Sequence, residues 1–252
     1  MILLMGGTKD ARKLVSSLCA AFPGIPLIAT AVSDYGAELL RSRHECTVLQ
    51  GALDAGMLER LIRDRGVRVL VDATHPFAVQ ASGEAQKAAN ATGVPYLRCE
   101  RPAAGIPAGA GVFFADGFTA AAQMAAKMGN VLFLTIGTRH LSEFMAALPA
   151  GKEVVARVLP DAGSINQCRE LGLAPASIVA MQGPVSRTLN RALFAEYRAD
   201  VIVSKESGEA GGTVEKVAAA RELKIPVILI SRPSAAPGLT ASEVIEELKK
   251  VF

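Results

Sequence analysis

The chain has 252 residues, half of them hydrophobic and 5% aromatic with no tryptophan, and a formal net charge of +3. That length can bury a sizeable core in one large or two modest domains without staples, and no apolar run approaches the roughly 18 to 20 residues of a membrane helix. So mild a charge, with no Lys/Arg block interleaved with aromatics, argues against a nucleic-acid partner and suits an anionic small molecule.

In chain order, short β-branched runs alternate with alanine-rich amphipathic stretches, the pattern of parallel sheets with crossover helices. The opening "MILLMGGTKDAR" lacks the basic lead of a secretory signal and reads as a first buried strand, Ile2 to Met5, of a cytoplasmic protein. Further strands are expected at Leu27 to Ala31, Cys46 to Leu49, Arg68 to Asp72 and Pro95 to Leu97, completing one doubly wound unit of five strands. The segment "CERPAAGIPAGAG", Cys99 to Gly111, is dense in Pro, Gly and Ala and marks a crossing between domains, drawn here between residues 101 and 102. Six more strands follow, starting near Val112, Val131, Val154, Ser177, Val201 and Val227, with helices between them. A last helix, Ala241 to Val251, belongs to the second segment and is free to pack on either domain. The fold class is α/β throughout, and no internal repeat is visible. The cysteines, Cys19, Cys46, Cys99 and Cys168, form neither a CxxC nor a cluster with histidine, so neither a metal site nor a disulfide is expected.

Ligands of open parallel sheets collect at the C-terminal ends of strands, where strand order reverses. Glycine turns and cations sit at several such ends here. After the first strand, "MGGTKDAR" offers Gly6 and Gly7 for close backbone approach, Thr8 as a helix cap, and a helix N-terminus for an anion. After the second, Asp34 suits a ribose 2′-hydroxyl, whereas Ser33 with Arg12, Arg41 or Arg43 suits a 2′-phosphate. In "VDATHPFA", Asp72, Thr74 and His75 crowd a loop whose Pro76 is placed to open a helix; His75 either braces the loop or acts as an acid or base. His44 and His140 lie at helix ends and read as solvated. "LTIGTRHL" carries Arg139, and "VARVLP" puts Arg157 inside an apolar strand, where it must meet an internal carboxylate or reach a ligand's. "MQGPVSRTLN" adds Gln182, Gly183, Ser186 and Asn190. Finally "VIVSKESGEAGGTVEK" runs from a strand through Lys205, Ser207, Gly208, Gly211 and Gly212 into a helix bearing Lys216, without the GxxxxGK[ST] of a P-loop. There is no GxSxG elbow, HExxH or DFG. Glycine turns, hydroxyls and cations without a nucleophile or a metal fit a reaction whose hard step belongs to a redox cofactor.

Taken together and in order, "GGTKDAR", "DATHPFA", "TIGTRHL", "ARVLP", "QGPVSRTLN", "SKESGEAGG" and "ISRP" resemble the precorrin-6A reductase family, including its cobalt-precorrin-6A branch, over about Met1 to Pro233. One departure is Val185, where the family pattern has an aromatic. The resemblance implies two Rossmann-like domains with a cleft between them, and hydride delivery from NADPH, or NADH, to a ring D double bond of a tetrapyrrole polycarboxylate. With that chemistry, the strand-end loops read above put Gly6, Gly7, Thr8, Arg12, Ser33, Thr74, Ser207, Gly208, Gly211, Gly212 and Lys216 at the cofactor, with either glycine loop open to its pyrophosphate. Arg98, Arg139, Arg157, Gln182, Ser186 and Lys205 then serve the substrate, with Arg101, Arg187 and Arg232 also near strand ends, and His75 competes with water as the proton source. Two other readings use the same features: a tetrapyrrole-pathway transferase using adenosylmethionine, and a two-domain binding protein for a small anion.

Overall fold

A computed structural model describes residues 1–42, 46–233 and 238–252. The first sheet is built from β1 (Ile2–Met5), β2 (Leu27–Ala31), β3 (Thr47–Gln50), β4 (Val69–Asp72) and β5 (Tyr96–Arg98), in the order β3-β2-β1-β4-β5 with every pairing parallel. Its helices are α1 (Lys9–Ala21), α2 (Asp34–Arg41), α3 (Ala55–Arg65) and α4 (Val79–Thr92). Every residue of β1, β2 and β4 is buried, as strands covered by helices on both faces must be. One face packs Ile2, Leu4, Val69 and Val71 against α1 and α2, and the other packs Leu3, Met5 and Leu70 against α3 and α4.

The second sheet contains β6 (Val112–Ala115), β7 (Val131–Thr135), β8 (Glu153–Val158), β9 (Ile178–Ala180), β10 (Val201–Lys205) and β11 (Val227–Ile230), in the order β6-β11-β10-β7-β8-β9, again all parallel. Helices α5 (Phe118–Met128), α6 (Leu141–Ala146), α7 (Ala162–Glu170), α8 (Arg187–Glu196) and α9 (Thr213–Glu222) separate its strands. Read from β9, the order β9-β8-β7-β10-β11 repeats β3-β2-β1-β4-β5 strand for strand, with β6 added at the edge. The repetition lies in the topology and not in the residues, which is why the sequence does not display it. Each sheet has one place where strand order reverses, between β1 and β4 in the first and between β7 and β10 in the second.

The chain divides into one unit of Met1–Pro102 with Pro233–Phe252 and a second of Ala103–Arg232. The segment after Pro233, assigned from sequence to the second part with its helix free to pack on either, therefore returns to the first. There α10 (Ala241–Lys249) buries Val244 and Leu248 in the same core as α1, and Leu239 bridges to Cys99 beyond β5. Two further expectations change. Pro76 does not open α4: the Ala78 N–H bonds to the His75 carbonyl at 2.7 Å and holds a turn, so the helix starts at Val79. His140 is not solvated but half-buried, stacked on Phe118 at 4.1 Å between centroids. His44 and Arg43 lie outside the described residues.

Candidate active site

At the reversal of the first unit, Gly6 and Gly7 have different reasons to be glycine. Gly6 has φ +152°, and a Cβ there would stand 2.7 Å from the Ala73 carbonyl oxygen and 2.8 Å from the Ala11 Cβ. Strand β4 and helix α1 thus close on it from both sides. Gly7 is exposed, and an added Cβ would meet protein no nearer than the Ala31 Cβ at 3.4 Å. The Thr8 hydroxyl caps α1 by accepting from Ala11 N–H at 3.1 Å, and Arg12 donates to the Gly7 carbonyl at 3.2 Å. Ser33 is spent in the same way on α2, accepting from Gly36 N–H. Asp34 is exposed and engaged by the Gln50 carboxamide.

A cavity of about 350 Å³ opens beside this turn, with Thr8, Lys13, Thr74, Cys99, Arg101 and Thr240 among its walls. The N-termini of α1 and α10 both end on it. Arg101, expected near a ligand, is paired with Asp10 at 3.0 Å. Below lies Asp72, fully buried at the end of β4. Its neighbour in register on β5 is Arg98, which reaches it at 2.8 Å and also donates to the hydroxyls of Thr74 at 2.8 Å and Ser82 at 3.1 Å. Tyr96 donates to the other carboxylate oxygen at 2.7 Å. Burial alone would raise the Asp72 carboxyl, but Arg98 and the bonds from Ser82 and Thr74 outweigh it and hold the group below its ordinary range. Burial and then the Asp72 charge push the Tyr96 phenol up. Arg98 Nη1 is therefore engaged inside the protein, as the register of two strand ends, "VD" and "LR", could have announced. His75 accepts from Phe77 N–H through Nδ1 at 3.2 Å and lies against the Phe77 ring.

At the reversal of the second unit the side chains are cationic. Ser204 on β10 pairs in register with Thr135 on β7, and Arg157 stands one step beyond the Leu134–Ala156 pairing of β7 with β8. The three share the sheet face covered by α8 and α9, past the core formed by Ile202, Phe133 and Val155. Among the described residues Arg157 meets no internal carboxylate. Its guanidinium donates to the Asn190 carboxamide at 2.7 Å, while the Asn190 amide donates to the Val185 and Ser186 carbonyls. A neutral partner leaves the charge unbalanced, and burial lowers Arg157 to about 10. Lys216 is 4% exposed and donates to the Ser204 hydroxyl at 2.8 Å. It lies beneath the glycine loop and does not project from it. Lys205 is lowered to about 8, first by burial and then by Arg139, which is itself exposed.

Over these cations the loop after β10 turns on Gly208 and Gly212, both at φ +70°, through a single 3-10 turn at Glu209–Gly211. Ser207 and Thr213 clasp it, with the Ser207 N–H donating to the Thr213 hydroxyl at 3.2 Å. Glu206, not singled out from sequence, accepts from Gly208 N–H and Ala104 N–H at 3.0 Å each and is ion-paired with Arg232. Ser186 caps α8, Gln182 is exposed, and Arg187 pairs with Glu222 on the surface. Val185, the departure from the family pattern, is buried.

Comparison with known proteins identifies the family and agrees with the fold. The family described as "Precorrin-6x reductase CbiJ/CobK" matches residues 1–251. Cobalt-precorrin-6A reductase of Methanothermobacter thermautotrophicus is 41% identical over 92% of this chain and 76% of its own. That of Priestia megaterium is 38% identical over 98% of each, and precorrin-6A reductase of Rhodococcus erythropolis is 33% identical over 98% of this chain and 94% of its own. A solved structure titled CobK precorrin-6A reductase superposes with a TM-score of 0.77 at 26% identity, covering 99% of this chain and 96% of that one. No helix among the described residues is long and apolar enough to cross a membrane.

Proposed function

The chain belongs to the precorrin-6x reductase family and is a reductase of cobalamin biosynthesis, and from that premise we propose that its first unit holds NADPH while its second holds the substrate's carboxylates. The observation that carries the proposal is Gly7, an exposed glycine at the end of β1 that nothing in the protein requires to lack a side chain. A backbone left bare toward solvent at a helix N-terminus suits a pyrophosphate, whose oxygens take N–H bonds and the positive end of the helix dipole. The neighbouring cavity has room for a flat ring and polar groups on its walls. Arg12 lies beside the turn to meet a 2′-phosphate, with Ser33 donating its hydroxyl proton and Arg41 as a second cation.

Reduced nicotinamide, when bound, supplies the hydride for a ring D double bond. The chain's own residues position, orient and exclude water. Lys205, Arg139 and Arg157 present charge for acetate and propionate groups, since charge-assisted bonds to carboxylates are strong and directional. Gln182 and the Ser186 hydroxyl lie on the adjoining loop for neutral contacts. Thr74 holds Arg98 in place and so shapes the cavity wall. With Nδ1 accepting from Phe77, a neutral His75 carries its proton on Nε2, and giving that proton away would leave an imidazolate. Water is therefore the better proton source.

Binding of NADPH, NADH and adenosylmethionine by calorimetry tests the cofactor half, on the native chain and on Gly7→Val. The expected result is tight NADPH binding that the substitution abolishes while the fold persists. The reaction is tested by consumption of reduced nicotinamide with precorrin-6A and with cobalt-precorrin-6A, the product gaining two hydrogens in mass. Stabilisation by adenosylmethionine with none by either nicotinamide would overturn the reading.

A further inference from the structure

Lys216 and Arg157 present an electrostatic problem within the second unit. Both rise from the elements behind the strand ends, Lys216 from α9 and Arg157 from β8, and both bond to neutral groups, the Ser204 hydroxyl and the Asn190 carboxamide. Lys205 follows Ser204 directly on β10, and its Nζ is 4.0 Å from where a Cβ on Gly137 would stand. Arg139 lies two residues further along that β7 loop. The carboxylate whose charge reaches Lys216, Glu206, is already committed to Arg232 and to two backbone N–H groups. Lys216 and Arg157 thus share a buried setting with neutral partners, and a buried unbalanced charge is costly.

We propose that an oxyanion bound at these strand ends drives proton uptake by Lys216, so that a lysine the ligand never touches adjusts the charge of the site to that of its ligand. In the empty site, burial, then Arg157 and Lys205, lower the Lys216 ammonium to about 7, with Glu206 opposing. Near neutral pH it therefore sheds its proton readily. A multiply charged oxyanion placed over Lys205 and Arg157 reverses the local potential and returns the proton, which comes from the buffer. The Ser204 bond survives either state, because the hydroxyl accepts from an ammonium and donates to an amine. Lys216 is in this sense a positioning residue, acting through Ser204 and the field. The inference rests on reading this crevice as an oxyanion site and is independent of the redox chemistry.

The shared ligand chemistry, clustered oxyanions, arises from cofactor phosphates or from substrate carboxylates, and two calorimetric arms separate them: NADPH, and a porphyrin bearing eight carboxylates. Each is titrated into the intact protein at pH 7.5 to 8 in buffers of different ionisation heat, which reports protons taken up per ligand. The expected result is an uptake of about half a proton or more in the arm whose anion seats on the second unit, reduced at least twofold in Lys216→Met. Lys216→Arg, which keeps its charge near neutrality, is the second variant should the first fail to fold; it is expected to bind the ligand with the same reduction in uptake. No uptake in either arm, or equal uptake with and without Lys216, overturns the inference, whether the ligand seats elsewhere or not at all. Turnover of precorrin-6A without such uptake refutes this inference alone, and uptake without turnover refutes the reductase reading alone.

Discussion

The two strand reversals share a topology and dispose of charge in opposite ways. At the end of β4, Asp72 is wrapped by Arg98, Tyr96 and Thr74, so its charge is cancelled within the first unit and the turn above it presents bare backbone. At the end of β10, Lys216 and Arg157 take a hydroxyl and a carboxamide as partners in place of a carboxylate. The same scaffold thus carries at one strand reversal a carboxylate cancelled by its neighbours, and at the other cations held by neutral partners. One fold makes two chemically different sites by exchanging a single carboxylate-ended strand for a lysine-ended one.

The contrast breaks most visibly at the glycines. Gly6→Val should cost about 3 kcal/mol or more in a denaturant melt, because its Cβ would collide with Ala73 and Ala11. Gly7→Val should leave that melt unchanged and weaken NADPH on the order of 100-fold or more; equal loss of stability at both positions would erase the distinction. Next in size, Arg98→Met strands a buried carboxylate and should destabilise by about 3 to 5 kcal/mol, with no greater effect on substrate KM than on stability. Lys205→Met should spare the fold and raise the KM for the tetrapyrrole about 10- to 100-fold, the worth of a charge-assisted bond.

Smaller effects appear in the response to pH. Asp72 has a depressed value, so its contribution is present above the ordinary carboxylate range and is lost as pH falls through its folded value. Lys205 and Lys216, at about 8 and about 7, lie below an unfolded value of about 10.4, so the unfolded chain binds more protons across that window. Stability of the free protein should therefore rise from pH 7 to pH 9, by several degrees in Tm, and Lys216→Met should flatten the rise. Smallest of all, His75→Ala should change the single-turnover rate by less than about tenfold, below what a general acid contributes.

The alternation of Ile2–Met5, Leu27–Ala31 and Val131–Thr135 with helical stretches is legible because buried parallel strands are continuous apolar runs. The turns at Gly6–Gly7 and Ser207–Gly212 are legible as turns because glycines after an apolar run mark the end of a strand. Roles that depend on a neighbour distant in sequence are not. Arg98 reads as a ligand contact until β5 is set beside β4 and Asp72 claims it, and Lys216 reads as a loop cation until α9 turns it down onto Ser204. Asn190 could not be recognised as the partner of Arg157 because the expected partner of a buried cation is an anion. The destination of α10 depends on an apolar face, Val244 and Leu248, that would fit either core.

That destination has a consequence for how the molecule is made. The second unit is an interruption of the first, and both of its ends are tied to one residue, since Glu206 receives the Ala104 N–H on the way in and the Arg232 guanidinium on the way out. On the ribosome, the core of the first unit stays open while the whole second unit is made, for it lacks Val244 and Leu248 until α10 emerges. Losing α10 would therefore injure the unit built around Met1–Pro102, far away in sequence, and leave the inserted one whole.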